Sequence, residues 1–248
     1  MSAPPLRIGI AGVGRMGRHH APNLAQRVVG AELVAACSPV ADELAWARDT
    51  LGVAHGYGDY AQLLAHPGLD AVFLATPTTL HADQIVGALE AGKHVFSEKP
   101  LALNLADCLR VEAVAAKHPR QNAMIGYVRR FDPSYRDAYD KISAGAIGRP
   151  FLARSQTTDK NDASGFFVRY AGASGGILLD MSVHDIDTVR WLLGAKARSA
   201  CSRPARSPST KACAKSATST TPSRRSSSTA ARSRRSTRRG RWRTATRR

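Results

Sequence analysis

A glycine-rich turn directly after an apolar run is the feature that most constrains the fold of this chain. Residues 6–11, Leu-Arg-Ile-Gly-Ile-Ala, predict a short buried strand, and residues 15–28 carry a helical pattern. Between them, Gly12, Gly14 and Gly17 form the pattern G-x-G-x-x-G. The first glycine permits a tight turn, the second leaves room for a pyrophosphate, and the third allows close packing of helix on strand. The unit predicts a dinucleotide site with the phosphates at the start of the helix.

Strand and helix patterns then alternate over roughly the first 125 residues. Further strands are predicted at 33–37, 53–57, 71–76, 94–97 and 124–128. The helices between them are predicted at 40–51, after Asp59, at 81–91 and at 104–117, with Asp59 and Asn104 as caps. Because 71–76 is continuously apolar, we expect helices on both faces of the sheet. The fold class predicted is α/β, a doubly wound parallel sheet.

The pattern changes after the sixth predicted strand. Asp132-Pro133 opens a helix that reaches about Gly145, and residues 151–158 predict a strand. One long helix is predicted over 177–193. We therefore expect a dinucleotide-binding domain of the Rossmann type at 1–126, the start of a second α/β domain at 127–196, and a separate tail at 197–248.

The positive charge of the chain is concentrated in that tail. The net charge is +17, but residues 197–248 hold 16 Lys and Arg and no acid, whereas residues 1–196 hold 20 bases and 19 acids. The tail contains no Leu, Ile, Val, Phe or Met after Lys196. Such a segment cannot bury apolar surface, so we expect a near-neutral globular body with a disordered basic tail.

The cysteines and the hydropathy pattern indicate a cytoplasmic protein without a metal site. Cys37, Cys108, Cys201 and Cys213 form no C-x-x-C pair and lie near no plausible set of His ligands. Reduced thiols are the simplest interpretation. No signal-peptide pattern and no apolar stretch long enough to span a bilayer is found, so no membrane association is predicted.

Two positions at the predicted carboxyl edge of the sheet are candidates for cofactor contact. Ser38 stands where an acidic residue commonly binds the adenosine ribose, which makes NAD only modestly preferred over NADP. It is equally a candidate for the N-cap of the next helix. Thr76-Pro77-Thr78 follows the fourth strand and belongs either to the crevice or to an ordinary proline turn.

Three residues are candidates for proton transfer. Lys99, in Glu98-Lys99-Pro100 after the fifth strand, can stabilise a developing alkoxide, although a lone lysine is more often solvated. Asp180 and His184 are spaced i, i+4 on one predicted helix, so the carboxylate can orient the imidazole as a proton acceptor. The spacing fits a surface ion pair as well, and metal binding lacks a third ligand. Asp187 lies one turn later and can join either arrangement.

Two arginines follow the sixth strand at the same edge of the sheet. Arg129 and Arg130 are adjacent, and neighbouring residues on an extended segment point to opposite sides. We therefore expect only one of them to contact cofactor or substrate.

Four stretches together resemble the Gfo/Idh/MocA family of sugar oxidoreductases, over residues 6–196. They are 9–17 (Gly-Ile-Ala-Gly-Val-Gly-Arg-Met-Gly), 75–81 (Ala-Thr-Pro-Thr-Thr-Leu-His), 98–101 (Glu-Lys-Pro-Leu) and 180–187 (Asp-Met-Ser-Val-His-Asp-Ile-Asp). Residues 126–133, Gly-Tyr-Val-Arg-Arg-Phe-Asp-Pro, are most similar to the inositol-oxidising branch.

The resemblance implies oxidation of a cyclic polyol, myo-inositol, to the 2-keto product with hydride transfer to NAD. It implies His184 as proton acceptor, with Lys99 and Asp180 positioning and polarising the hydroxyl. It also implies that the second domain has a large open sheet, truncated in this chain, and that the protein is a homo-oligomer, which the truncation would compromise. Other substrates within the family, or an inactive nucleotide-binding protein, stay open. The implied cofactor contacts are Gly12, Gly14, Arg15, Met16, Gly17, Ser38, Thr76, Pro77, Thr78, His81, Glu98, Lys99 and Arg129.

The tail departs from the family pattern. With GC-rich codons, a one-base shift of the reading frame over residues 209–220 can encode a peptide that resembles family sequence, so we interpret the tail as a frameshift product. The competing interpretation, a basic arm that binds nucleic acid through its phosphates, ranks below it.

Overall fold

Six short parallel strands form the sheet at the centre of the described structure. The computed structural model describes residues 4–158 and 165–194. Its strands are β1 (Leu6–Ala11), β2 (Ala31–Cys37), β3 (His55–Tyr57), β4 (Ala71–Leu74), β5 (His94–Ser97) and β6 (Ala123–Ile125). They pair in the order β3-β2-β1-β4-β5-β6, and every pair is parallel. The predicted parallel sheet is confirmed.

Helices cover both faces of this sheet. They are α1 (Gly17–Gln26), α2 (Ala41–Leu51), α3 (Tyr60–Leu64), α4 (Thr78–Glu90) and α5 (Leu105–Lys117). In β4, Leu74 packs into a core with Ile85 of α4, whereas Phe73 packs on the opposite face with Leu24 of α1. Burial on both faces explains why the β4 segment is continuously apolar, and the doubly wound arrangement is confirmed.

Asp59 and Asn104 cap their helices, as predicted. Asp59 accepts hydrogen bonds from the Ala61 and Gln62 N–H groups, and Asn104 accepts one from Asp107 N–H. The predicted cap at Ser38 is wrong. Helix α2 begins only at Ala41, so that Val40 occupies the N-cap position and makes no side-chain cap hydrogen bond.

The segment after β6 is helical rather than extended. Residues 128–131 form a short 3-10 helix, and Asp132 then caps α6 (Pro133–Ser143), as predicted. The strand predicted at 151–158 is wrong: these residues form no strand, and Phe151 is 96 % exposed. A strand needs a neighbour for its backbone N–H and C=O groups, and none pairs with it in the described part of the chain.

The helix predicted over 177–193 is interrupted. The elements found are α7 (Phe166–Ser174), α8 (Ile177–Asp180) and α9 (Ser182–Leu192), with Met181 between the last two. His184 N–H donates to the Met181 carbonyl at 3.2 Å, while the Asp180 carbonyl accepts from Lys99 Nζ at 2.8 Å. The prediction of one continuous helix is therefore wrong, because the Asp180 carbonyl bonds to the lysine instead of to the His184 N–H group.

The remaining sequence predictions concern the cysteines, the tail, membrane spans and metal sites, and only some of these lie within the described residues. Cys37 and Cys108 are free, whereas Cys201, Cys213 and the predicted disordered tail lie outside the described residues. None of the described helices is long and apolar enough to cross a membrane. Within residues 4–158 and 165–194, no group of three potential metal ligands is found.

Candidate active site

The glycine-rich turn lies where the strand order of the sheet reverses, between β1 and β4. Parallel sheets bind ligands at the carboxyl ends of their strands at such a point. Gly12 follows β1 with φ of +84°, and a Cβ built on it would lie 2.6 Å from the Ala75 carbonyl oxygen, just after β4. A Cβ on Gly17 would collide with the Gly12 carbonyl. No side chain therefore fits at Gly12 or at Gly17, and the backbone of the turn stays bare at these two positions.

The N-terminus of α1 is left open to an anion. Its N-cap, Met16, makes no side-chain cap hydrogen bond, and its first turn contains no acid. The first N–H groups of a helix have no intrahelical partner and carry partial positive charge. Together with the bare turn, they fit the pyrophosphate of a dinucleotide, as predicted for Gly12 to Gly17.

At the end of β2, the hydroxyl of Ser38 is engaged within the protein. Ser38 is 2 % exposed. Its Oγ donates to Glu43 Oε2 at 2.5 Å and accepts from Val40 N–H at 3.1 Å. Glu43 Oε1 would in turn lie 3.0 Å from a Cβ built on Gly14. Sequence reasoning missed Glu43, whose only signal is its place in the first turn of the helix after Ser38.

The loop after β4 is held by side chains of α4. Thr76 Oγ1 donates to Gln84 Oε1 at 2.5 Å. Thr78 is 5 % exposed and begins α4, whereas Pro77, which precedes it, is exposed.

His81 joins the loops after β4 and β5. It is 1 % exposed, and its two ring nitrogens lie 2.9 Å from the Thr76 carbonyl oxygen and 2.8 Å from that of Pro100. With the ring buried between two carbonyls, His81 holds both loops in place, and its side chain is not on the surface of the crevice as the resemblance implied.

Lys99 connects the loop after β5 to the end of α8. Its Nζ lies 2.9 Å from Asp180 Oδ1 and 2.8 Å from the Asp180 carbonyl oxygen. Both side chains are about one-fifth exposed. The lysine is thus a mostly buried, paired ammonium, and the solvated alternative does not apply.

Glu98 is held from two sides. Its Oε1 lies 2.7 Å from His20 Nε2, and its Oε2 accepts from Lys99 N–H at 3.2 Å. Burial raises the pKa of Glu98, but the hydrogen bond and charge of His20, with smaller contributions from Lys99, outweigh burial and lower it. Sequence reasoning missed His20, whose only signal is its position one turn after Gly17.

His184 is half-buried at the start of α9. Burial lowers its pKa first, and the positive charges of Lys99 and Arg129 lower it further, against the opposing charges of Glu98 and Asp180. The imidazole is therefore poised as a neutral base. In the described part of the chain the Asp180 carboxylate bonds to Lys99 and not to His184, so the predicted direct orientation of His184 by Asp180 is wrong.

Both arginines after β6 bind carboxylates of α9. Arg129 donates to Asp185 Oδ1 at 2.7 Å, and Arg130 donates to both oxygens of Asp187 at 2.9 and 2.6 Å. The predicted opposite orientation is wrong because the segment is a 3-10 helix, in which both side chains reach α9. Asp187 joins Arg130, not His184.

Polar side chains of the segment before α7 complete the Asp185 cluster. Ser155 and Thr157 hydroxyls donate to Asp185 Oδ1 at 2.5 and 2.8 Å. Burial raises the pKa of Asp185, but hydrogen bonds from Ser155, Arg129 and Thr157 reverse this and lower it. Asp185, which directly follows His184, is thereby bonded to the segment that connects the sheet to α7.

The charges converge on one edge of the sheet. The structure brings together Lys99, Asp180 and His184 from the predicted set, with Glu98 and Arg129 close enough to influence the imidazole. The arrangement offers an ammonium to stabilise negative charge on oxygen and a neutral imidazole to accept a proton.

Comparison with known proteins finds relatives that match most of this chain. A family model described as an oxidoreductase family with an NAD-binding Rossmann fold matches residues 6–127, and the Gfo/Idh/MocA C-terminal domain model matches residues 135–222. The scyllo-inositol 2-dehydrogenase (NAD(+)) of Bacillus subtilis is 39 % identical over 191 residues, which are 77 % of this chain and 55 % of that protein. The myo-inositol 2-dehydrogenase of Thermotoga maritima is 35 % identical, over 76 % of this chain and 55 % of its own.

A solved structure shows the same likeness. The scyllo-inositol dehydrogenase of Lactobacillus casei, crystallised with NAD(H) and scyllo-inositol, superposes with a TM-score of 0.72 at 44 % identity. The match covers 77 % of this chain and 56 % of that one. This chain thus spans a little over half the length of the relatives that it matches.

Proposed function

The chain belongs to the Gfo/Idh/MocA oxidoreductase family, and from that premise we propose that it oxidises a ring hydroxyl of an inositol to a ketone with NAD as electron acceptor. The observation that carries the proposal is the convergence of Lys99 and Asp180, 2.9 Å apart, beside His184. These three side chains come from the rim of the sheet and from two separate helices. The Lys99–Asp180 ion pair and its electrostatic influence on the His184 imidazole support the proposal.

His184 is the proton acceptor in this proposal. Because burial and two neighbouring cations lower the pKa of its imidazole, the ring is neutral near pH 7 and can take a hydroxyl proton.

Lys99 and Asp180 act together on the reacting oxygen. The ammonium stabilises negative charge that develops as the proton leaves, and the carboxylate fixes the direction of the ammonium. Loss of either leaves a mostly buried charge without its partner, which is costly.

The residues that would hold NAD are those of the bare turn, residues 12–17, and the loops after β2, β4 and β5. When bound, NAD supplies the acceptor for the two electrons lost by the carbinol carbon. The chain contributes the N–H groups at the start of α1 and the loops that His81 and Glu98 hold in position.

An inositol is the proposed substrate class because matched relatives are named for scyllo-inositol and myo-inositol. The sequence resemblance indicates myo-inositol, and the identity to the B. subtilis scyllo-inositol enzyme makes that stereoisomer the second substrate to test.

The test is NADH formation by the full chain with a panel of inositol stereoisomers, alongside NAD⁺ affinity by calorimetry. Lys99→Met and His184→Ala are each expected to lower turnover by about three orders of magnitude or more, with NAD⁺ affinity within about threefold. Lys117→Met, an exposed change in the last turn of α5, is the matched control. Unchanged turnover in either site variant would refute the assignment.

A second candidate function is NAD binding without turnover. It is retained because the match accounts for only 55 % of the B. subtilis relative. Calorimetric binding of NAD⁺ with no NADH from any inositol would favour this candidate.

We also propose the domain division at residues 126 and 196, a cytoplasmic location and a homo-oligomer. The two family models meet near the first boundary, at residues 127 and 135. The free thiols of Cys37 and Cys108 suit a reducing compartment. Cell fractionation and light scattering of the full chain test the last two proposals.

A further inference from the structure

The end of β2 lacks the acid that commonly contacts the adenosine ribose of NAD. Ser38 stands there, and a hydroxyl neither repels a phosphate nor carries charge. Moreover, the Ser38 hydroxyl is committed: it accepts from Val40 N–H and donates to Glu43. By itself, Ser38 gives the site no means of rejecting NADP.

The Glu43 carboxylate lies in the same place from a different element. It extends from the first turn of α2 to within 2.5 Å of Ser38 Oγ. Its other oxygen would be 3.0 Å from a Cβ at Gly14, the glycine whose missing side chain leaves room for the pyrophosphate. One carboxylate thus spans the end of β2 and the glycine turn.

We infer that Glu43 supplies the missing ribose acid and makes the site selective for NAD over NADP. A ribose 2′-hydroxyl can donate a hydrogen bond to the carboxylate. A 2′-phosphate carries close to two negative charges and has no such donor, so it meets like charge instead. Ser38 serves as the donor that holds the carboxylate at the end of β2.

This inference rests on the dinucleotide-binding part of the proposed function and is independent of the polyol chemistry. Its alternative is purely structural: the Ser38–Glu43 bond ties α2 to β2 and takes no part in selecting the cofactor. The two differ in one quantity, the ratio of NAD⁺ to NADP⁺ affinity. A structural clamp changes both affinities alike, whereas a selective carboxylate changes their ratio.

The experiment is calorimetric titration of the full chain with NAD⁺ and with NADP⁺. For Glu43→Gln, which keeps the shape and removes the charge, we expect the NAD⁺/NADP⁺ affinity ratio to fall about tenfold or more. Ser38→Ala is expected to lower the ratio less, since the charge remains but loses its donor. Asp42→Asn removes a charge from the neighbouring exposed position and is expected to leave the ratio within about twofold.

The outcomes separate this inference from the proposed function. An unchanged ratio in Glu43→Gln, with NAD⁺ still bound, overturns the role of Glu43 and leaves the dehydrogenase proposal standing. A wild-type chain that binds neither dinucleotide overturns both. If Glu43→Gln unfolds, Glu43→Asp, which keeps the charge, is titrated instead. An NAD⁺/NADP⁺ affinity ratio that stays high in Glu43→Asp supports the inference. A ratio as low as that of Ser38→Ala, or lower, contradicts it.

Discussion

The imidazole of His20 lies 2.7 Å from the carboxylate of Glu98, which joins the first helix after the glycine turn to the loop that carries Lys99. The pair is mostly enclosed, with the side chains 28 % and 17 % exposed. The His20 ring also lies against Phe73 of β4, at 4.7 Å between centroids. One contact therefore ties the cofactor-binding helix, the sheet and the lysine loop together.

Removal of His20 is expected to impair turnover more than folding. In His20→Ala, the Glu98 carboxylate loses its partner, and the Lys99 N–H group that bonds to this carboxylate is no longer held in place. Because a small misplacement of a reacting group lowers the rate by such factors, kcat should fall roughly 10- to 100-fold. Steady-state kinetics and thermal unfolding would measure the two effects. His20→Gln, whose amide can donate to Glu98, should recover part of kcat, and His19→Ala, at an exposed neighbour, should match the wild type. A kcat that stays at the wild-type level in His20→Ala contradicts the positioning role.

The pH dependence of oxidation is expected to follow His184. Its pKa lies below the ordinary value of 6.5, so the neutral base persists at neutral pH and is lost only as the pH falls through this lowered pKa. The kcat/KM profile should therefore decline on the acid side below that value. An NMR titration of the His184 ring should show its pKa rising in Lys99→Met, because a nearby positive charge is removed. The rise should be absent in Lys117→Met, and equal pKa values in all three proteins would disprove the coupling.

The Arg130–Asp187 pair is expected to stabilise the attachment of α9. Asp187 is 9 % exposed and receives two hydrogen bonds from one guanidinium. Arg130→Ala leaves this carboxylate buried without its partner, for a loss of about 1–3 kcal/mol in the free energy of unfolding, since the arginine is itself partly exposed. Urea denaturation would measure it. The control is Arg136→Ala, which breaks an ion pair of two exposed side chains and should leave the urea midpoint nearly unchanged. An equal loss of unfolding free energy in both variants would contradict the structural role of Arg130.

Gly12→Ala is expected to weaken both the fold and NAD⁺ binding. The new Cβ would lie 2.6 Å from the Ala75 carbonyl oxygen on a backbone with φ of +84°. The matched control is Gly52→Ala, where φ is +71° but no atom lies within 4 Å. Both variants incur strain of roughly 1–2 kcal/mol from the left-handed backbone, and only Gly12→Ala should lose more stability and bind NAD⁺ more weakly. Calorimetry and thermal unfolding distinguish the two, and equal losses would refute the close approach of β1 and β4.

Much of the fold was predictable from local patterns. The apolar run at 71–76 indicated a strand covered on both faces, and the spacing of Gly12, Gly14 and Gly17 indicated a turn into a helix. Asp59 and Asn104 were predictable as caps, because a short polar side chain before a helical pattern satisfies its first N–H groups. The strand predicted at 151–158 failed because strand formation depends on a partner elsewhere in the chain.

The site was predictable in its residue types and not in its contacts. Lys99, Asp180 and His184 were identified from motifs, but the i, i+4 spacing gave Asp180 the wrong partner. The helix breaks at Met181 because the Asp180 carbonyl bonds to Lys99, a residue 81 positions earlier. Glu43 and His20 carry no motif, so only their neighbours in space reveal them.

The order of residues alone determined the alternating α/β architecture, the position of the glycine turn and the edge of the sheet where chemistry would lie. These depend on interactions over a few positions: side-chain periodicity, backbone freedom at glycine, and caps. The tertiary structure alone decided which groups lie together: Lys99 with Asp180, His20 with Glu98, and the Glu43 carboxylate beside the backbone of Gly14. Such pairings depend on how strand ends and helices pack at one sheet edge, and electrostatic contacts between distant segments leave no periodic trace in the sequence.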